Sequence, residues 1–378
     1  MPQITLSLHL EEGHYSAPTE WRLLGARDKA DHVIDLCQRN GLKPTSLLEV
    51  GAGDGAILRC LSEKRFCASM SALEVSPSGA SVIKSQQIPG LVSCEVFNGY
   101  ELPFEDDRFD LVVLSHVLEH VEFERALLRE IRRVSARSVI EIPMDFTALA
   151  DEDYHFLGPS YGHINAHSPA SLRFLLFTEG LIVKDHLLGR YSPQLQEYDF
   201  FENGRRPRTP ELVRQFWDRD LAERQQYASL PLQDKERQSN YYAVLVQRET
   251  AEQRRERALK VACNYIDADR LQAARLIFDH YVPDGDLAAA LILARHGRDT
   301  QHWHAAREFS DRALARAAQD PDATEIRKQA LAGEAAAPPP AAPHEAGPAR
   351  PQAGSFVRLR RVARRIPLLA RLVRWLRA

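Results

Sequence analysis

The stretch Leu47-Leu48-Glu49-Val50-Gly51-Ala52-Gly53-Asp54-Gly55 decides how this chain is read. A short apolar run ends at Val50, three glycines follow at alternate positions, and a helical pattern runs from Gly55 to Lys64. Gly51 and Gly53 let the backbone turn tightly and leave no Cβ in the way of a ligand. Upstream, Leu23, Leu24, Ala30, Val33, Ile34 and Leu36 recur at helical spacing over 20–40, with Gly41 as the stop. Downstream, strands are expected at Ser71–Val75, Leu91–Phe97, Asp110–Leu114 and Ser138–Ile142, and helices at Ser78–Gln87 and Glu124–Val134. This alternation predicts an α/β fold: a Rossmann-like, seven-stranded, mostly parallel sheet with helices on both faces. A helix over Ser171–Glu179, a strand over Leu181–Leu188 and a last strand over Tyr241–Gln247 complete it. Between the last two strands, residues 189–238 read as an Arg-rich insertion with a single helix, Pro210–Ala228.

The rest of the chain differs in character. Residues 1–249 are assigned to the α/β domain, and 250–332 to an Ala-rich helical module. Trp303, Ala306, Phe309, Ala313 and Leu314 resemble the second half of a tetratricopeptide unit. The ~34-residue period is not cleanly repeated, so a plain helical hairpin is expected. Residues 333–354, with Pro338-Pro339-Pro340, Pro343, Pro348 and Pro351, read as a semi-extended linker. Residues 355–378 form a basic amphipathic tail. Leu359, Val362, Ile366, Leu369, Val373 and Leu376 make one stripe, with arginines opposite and Trp375 near the end. That pattern suits an anionic membrane surface, and the alternative is a docking helix for an acidic partner.

Charge and cysteine content narrow the class. The 378 residues carry 49 Lys+Arg and 52 Asp+Glu, a net charge of −3. Residues 351–378 hold eight Arg and no acid, and removing that +8 leaves −11 for residues 1–350. So acidic a body is not expected to bind nucleic acid. Five scattered cysteines without a C-x-x-C pair fit a reducing cytosol. Ile4–Leu10 alternates like a strand, not a secretory apolar region, and no run of ~18 apolar residues spans a membrane.

Glu74 ends the second strand, 19 residues after Gly55, where an acid can accept both hydroxyls of a ribose. Together with the loop it indicates an adenosine-containing cofactor. The spacing is G-x-G-x-G, not the G-x-G-x-x-G of a pyrophosphate binder. Glu49, an unusual charge in a buried strand, could orient the loop or meet the cofactor's ammonium. Asn98-Gly99-Tyr100-Glu101-Leu102-Pro103-Phe104 follows, leading into Asp110-Leu111-Val112-Val113-Leu114-Ser115-His116-Val117-Leu118-Glu119-His120-Val121. Over 47–55, 71–75 and 98–121 the chain resembles the class I, Rossmann-like S-adenosylmethionine-dependent methyltransferases. The resemblance implies that Gly51 and Gly53 line the methionine end and that Glu74 binds the ribose. It places Asn98 where the family has an Asp that accepts from the adenine amine. Ser115 and His116 would face the sulfonium and the substrate cleft.

His116, Glu119 and His120 stand at i, i+3 and i+4, which on a helical turn puts all three on one side. His116 or His120 could take the proton of a hydroxyl acceptor. A similar Glu-x-x-Glu-His ligand set occurs in ubiquinone-pathway and small-RNA O-methyltransferases, here with His116 in place of the first Glu. A divalent metal on His116, Glu119 and His120 is therefore an alternative, and the favoured reading is no metal, with His120 bonding a loop. His163 and His167 are expected in the wall of the acceptor pocket. The leading expectation is a cytoplasmic methyltransferase, peripheral at the inner membrane face, that O-methylates a sugar, glycan or lipid-linked intermediate. The alternatives are a methyltransferase of a soluble small metabolite and a non-catalytic cofactor-binding scaffold with a protein partner on 250–332.

Overall fold

The computed structural model describes residue 15 and residues 19–144, 162–283 and 286–336. The expected strand at Ile4–Leu10 and the tail 355–378 lie outside the described residues. The chain divides into two compact units between Gln253 and Arg254.

The first unit is built on one sheet. Its strands are β1 (Ser46–Val50), β2 (Ser69–Glu74), β3 (Leu91–Val96), β4 (Leu111–Ser115), β5 (Arg137–Pro143), β6 (Leu181–Gly189) and β7 (Tyr241–Arg248). They lie in the order β3-β2-β1-β4-β5-β7-β6. All pairs are parallel except those of β7, which runs antiparallel to both β5 and β6. The seven-stranded, mostly parallel sheet anticipated from the alternation is thus present. Strand β4 is the reason it must be covered on both faces: Leu111, Val112, Val113 and Leu114 are all buried, so neither face is left to water. Helix α1 (Glu20–Arg39) packs on one face with α2 (Ala56–Glu63), and α4 (Glu124–Val134) on the other. Between them come α3 (Pro77–Ser85) and, later, α5 (Pro169–Thr178). The strand order reverses between β1 and β4, and an open sheet of this kind binds ligands at the carboxyl ends of the strands there.

Asp110 fixes the other end of those two strands. Its Oδ2 accepts from the Thr45 and Ser46 amides and the Thr45 hydroxyl, while the Ser46 hydroxyl accepts from its amide. These bonds pull its carboxyl down to about 2.

The insertion holds three α-helices, not the one expected: α6 (Pro193–Tyr198), which continues into a π-helical turn (Asp199–Asn203), α7 (Pro210–Ser229) and α8 (Leu232–Glu236). Ser192 and Thr209 cap the first two, each followed by a proline preset for the first helical position. Several arginines of the insertion are engaged internally. Arg190 pairs with Glu223, Arg208 with Glu197 and Glu202, and Arg224 with Asp220. The Ser192 amide donates to Asp28, tying the insertion back to α1.

The second unit is helical and is not a plain hairpin. Its helices are α9 (Ala251–Asp267, which begins just before the division), α10 (Leu271–Tyr281), α11 (Leu287–Asp299), α12 (Trp303–Leu314) and α13 (Pro321–Ala336). Alternate helices begin at 251, 287 and 321, a period close to the ~34 residues of tetratricopeptide arrays. The repeat is also chemical. Ala274 and Phe278 on α10 recur as Ala305 and Phe309 on α12, and all four are buried. Ion pairs Arg275–Glu308 and Asp279–Arg312 cross between the repeats. Helix α13 runs to Ala336, four residues into the stretch expected as linker; its alanines are the strongest helix formers. Among the described residues, no helix is long and apolar enough to cross a membrane.

Candidate active site

The glycine loop lies at the carboxyl end of β1. Gly51, Gly53 and Gly55 all have positive φ, a region that costs a side chain energy. The Gly51 and Ala52 amides donate to the Leu73 carbonyl, and the Gly53 amide donates to Glu74 Oε2 at 2.7 Å. Glu74 Oε1 accepts from the Ser76 amide at 2.9 Å. Two of the carboxylate's roughly four lone-pair positions are thus used, and two remain. Burial pushes the Glu74 carboxyl up, and the bonds from Ser76 and Gly53 oppose that.

Two cavities open beside the loop. One, of about 550 Å³, is lined by Glu74, Phe97, Tyr100, Val117, Val121 and Leu127. It is an apolar slot with one acid at its edge, suited to a flat base carrying a sugar. A Cβ on Gly51 would lie 2.5 Å from Val117, so glycine is what keeps the slot open. The other, of about 880 Å³, is lined by Trp21, Arg22, Lys29, Glu49, Asp54 and Ser115, with Tyr191 and Leu195 from the insertion. Tyr15, Gly51 and His116 line both. The glycine loop, Glu74 and the slot therefore fit an adenosine-containing cofactor, and the second cavity adjoins the slot at Gly51 and His116.

Two of the sequence expectations need correction here. Asn98 does not offer its carbonyl to a base. That oxygen accepts from the Tyr100 and Glu101 amides, closing a turn, and the side chain is exposed. His116, Glu119 and His120 do not ride on one helical turn. Only Leu118–His120 is helical, as a single 3₁₀ turn, and His116 has φ +56°. Such a backbone costs about 1–3 kcal/mol and persists only where its surroundings hold it. Here the His116 amide donates to the Glu141 carbonyl at 2.9 Å.

The three side chains converge nevertheless. His116 Nδ1 lies 3.7 Å from Glu119 Oε1, and His120 Nε2 lies 3.9 Å from the same oxygen. The His120 ring donates from Nδ1 to the Gly162 carbonyl at 2.9 Å, the loop bond anticipated for it, which leaves Nε2 as the acceptor nitrogen. His163 meets the His120 ring edge to face, 4.8 Å between centroids. Glu119, His120 and His163 bring one donor atom each within 4.8 Å of one another, a spacing that could hold a cation. His167 pairs instead with Glu124 at the start of α4 and lines neither cavity. Ser115 lines the second cavity as expected, and Glu49 is buried there, its carboxyl pushed well up by burial.

Sequence reasoning missed several residues of this site. Tyr15 lies over the glycine loop, its ring 3.3 Å from where a Cβ on Gly53 would stand, with the Arg22 guanidinium 4.8 Å from its centroid. Lys29 projects from α1 into the second cavity, where burial pulls its ammonium down while Glu141, Glu119 and Glu49 pull it up. Glu141 is buried on β5. Its presence between Ile140 and Ile142 was the available signal, the same oddity that singled out Glu49 on β1. Burial pushes the His116 ring down to about 4, so it is a neutral imidazole at neutral pH.

Residues 48–138 match a family described as a methyltransferase domain. Norajmaline N-methyltransferase of Rauvolfia serpentina is 28% identical over 145 residues, 35% of this chain and 49% of its own length. The malonyl-[acyl-carrier protein] O-methyltransferase of Halorhodospira halophila is 26% identical over 140 residues, 36% of this chain and 46% of its own. The chain thus spans about half the length of these curated relatives. Among solved structures, Haemonchus contortus phosphoethanolamine N-methyltransferase 2 with S-adenosyl-L-methionine aligns at TM-score 0.43 and 12% identity, covering 66% of this chain and 61% of that one. The chain thus carries, over residues 48–138, a methyltransferase domain of the Rossmann-like, S-adenosylmethionine-dependent class.

Proposed function

We propose that this chain transfers the methyl group of S-adenosylmethionine to a hydroxyl of a small acceptor seated in the second cavity. The observation that carries this reading is that the two cavities meet at the glycine loop and at His116. The cofactor supplies an electrophilic methyl carbon on a sulfonium. The protein supplies position, and a group for the acceptor's proton. Glu74 and the apolar slot hold the adenosine. Ser115, Glu49 and the loop amides face the other end. His116, neutral and lining both cavities, is the base, and His120 stands beside it. Replacing His116 by Ala should lower turnover by ~10²–10⁴ and leave cofactor affinity nearly unchanged in calorimetry. Full activity of both His116→Ala and His120→Ala would remove the pair from the chemistry. The reading uses no metal, so a chelator should leave turnover intact; loss restored by a divalent ion would assign Glu119, His120 and His163 to it instead.

The acceptor class proposed is a sugar, glycan or lipid-linked intermediate, held near an anionic membrane surface by residues 355–378. Its support is the tail sequence; several arginines of the insertion are paired within the protein and add nothing to it. Each tail arginine near an anionic surface contributes ~1 kcal/mol, screened by salt. The full chain should sediment with anionic vesicles at low salt and detach at high salt, while a chain ending at Ala336 should stay in solution. Indifference of the full chain to such vesicles would leave a soluble metabolite as the better acceptor and a protein as the tail's partner.

A further inference from the structure

We infer that Glu141 and His32 are positioning residues that hold the His116 imidazole in one tautomer, Nε2–H toward Glu141, with the Nδ1 lone pair left for the acceptor's proton. The inference rests on the methyl-transfer reading for its chemistry and on this structure for its geometry. Glu141 is buried on β5, and its two oxygens face two different rings. Oε2 accepts from His32 Nδ1 at 2.9 Å, and Oε1 lies 3.3 Å from His116 Nε2. The same residue's carbonyl accepts the His116 amide. His116 is therefore tied to Glu141 through both backbone and side chain, and its left-handed φ is what turns the ring back over that strand. His32, on α1, is fixed in turn by stacking on Tyr241 of β7, 3.9 Å between ring centroids.

The arrangement has a chemical consequence. A buried carboxylate is tolerated when donors or a facing positive dipole meet it; here His32 Nδ1 donates to Oε2, while His116 Nε2 stands 3.3 Å from Oε1, at ion-pair distance but not aligned as a hydrogen bond. Burial pushes the Glu141 carboxyl up, but the two imidazoles facing its oxygens outweigh that and hold it well below the usual range, so it is an anion. An anion at Oε1 selects Nε2–H on His116. The lone pair then sits on Nδ1, 3.7 Å from Glu119 Oε1 and beyond hydrogen-bond reach of it. In the transfer, the acceptor oxygen forms its bond to the methyl carbon as the sulfur–methyl bond breaks, and its proton passes to Nδ1. The imidazolium so formed is met by Glu141. The bond through Oε2 keeps Glu141 from rotating away. No substrate contact is assigned to Glu141 or His32.

Glu141→Gln tests this without changing volume. Its single carbonyl oxygen can serve only one of the two rings, and its amide hydrogens must face the other, so one imidazole must reverse its tautomer. Long-range ¹H–¹⁵N spectra of the ¹⁵N-histidine-labelled full chain, taken with chelator and assigned with His116→Gln, read the tautomer directly. The unaltered protein should show His116 as Nε2–H alone. Glu141→Gln and His32→Gln should each produce a mixed or reversed His116 signal. With any acceptor the unaltered protein methylates, both should lower kcat by about tenfold or more, with KM and cofactor affinity nearly unmoved. A mixed or Nδ1–H signal in the unaltered protein overturns the inference, as does Glu141→Gln with unchanged tautomer and kcat. If Glu141→Gln does not fold, the unaltered protein and His32→Gln still decide. Failure of the unaltered chain to bind S-adenosylmethionine would sink the methyl-transfer reading while leaving the tautomer result standing.

Discussion

Glu74 is the residue whose replacement tests the cofactor site most sharply, because its carboxylate has two jobs. It accepts the Gly53 and Ser76 amides at 2.7 and 2.9 Å, and it turns its remaining lone pairs toward the slot. A hydrogen bond to a charged group contributes ~1.5–3 kcal/mol. Glu74→Ala orphans two amides, and water from the adjoining cavity offsets part of the loss, so stability should fall by roughly 2 kcal/mol. On the proposed reading the ribose hydroxyls lose their acceptor as well. Cofactor binding should weaken by ~1.5–3 kcal/mol, about 10- to 150-fold in Kd. Titration calorimetry with S-adenosylmethionine reads the second effect, and urea unfolding without cofactor reads the first. Glu74→Gln separates hydrogen bonding from bulk. Its NH₂ must face one of the two amides, donor against donor, so it should bind the cofactor no better than Glu74→Ala. A folded Glu74→Ala protein with Kd within about twofold of the unaltered one would refute the assignment of the second-strand acid.

Three other substitutions probe the frame. Gly51→Ala sets a methyl 2.5 Å from Val117 at φ +74°, and should cost about 1–3 kcal/mol in denaturant unfolding and weaken cofactor binding; adding Val117→Ala should recover only the steric part. Asp110, held at about 2 by the Thr45 and Ser46 bonds against ~3.9 when unfolded, contributes stability that is present above pH ~4 and lost as pH falls through about 2. Asp110→Asn should therefore be less stable than the unaltered chain near neutrality, and the gap measured in acid titrations should close across that window. Gly297→Ala gains ~1 kcal/mol of helix propensity, yet its Cβ would lie 2.7 Å from the Ala306 backbone nitrogen, which cannot swing aside. Overpacking of ~1–3 kcal/mol should win, and melting followed on a chain with Trp303 as reporter should begin earlier in the helical unit.

The regular elements were legible because their signals are local. The run Leu111–Leu114 announces a strand covered on both faces, and Ser168-Pro169 announces a helix start, whatever else the chain does. The alternation of strands and helices then leaves little choice of sheet. The helical unit was harder. Its period lives in Ala-x-x-x-Phe spacings at 274–278 and 305–309 and in helix starts, while the intervening turns vary in length and blur any strict count. The insertion was under-read for a similar reason: Arg and Gln are good helix formers, and the polar composition that suggested irregularity is that of exposed helices with paired charges.

The site was legible only where the family pattern is continuous in sequence. Gly51, Gly53, Glu74 and Ser115 sit at strand ends, and a parallel sheet brings strand ends together whatever the loops do. Asn98 failed because a short polar side chain after a strand is claimed first by the nearest amides, here those of Tyr100 and Glu101. His116 failed differently. Periodicity gave the right companions, Glu119 and His120, on the wrong geometry, since an i, i+3, i+4 count presumes helical backbone and His116 has φ +56°. What sets that φ is not local. It is the Glu141 carbonyl taking the His116 amide, one strand over in the sheet, and the Glu141 carboxylate reaching toward the ring from the same place. A charge buried in the middle of a strand is costly unless something needs it. Glu49 and Glu141 are both acids so placed, on β1 and β5, flanking β4 on either side; burial pushes the Glu49 carboxyl well up, while Glu141 is held as an anion. The sheet order therefore puts a buried acid on each side of the strand that delivers Ser115 and His116, and the one on β5, meeting the His116 amide with its carbonyl and the ring with its carboxylate, sets where the imidazole stands.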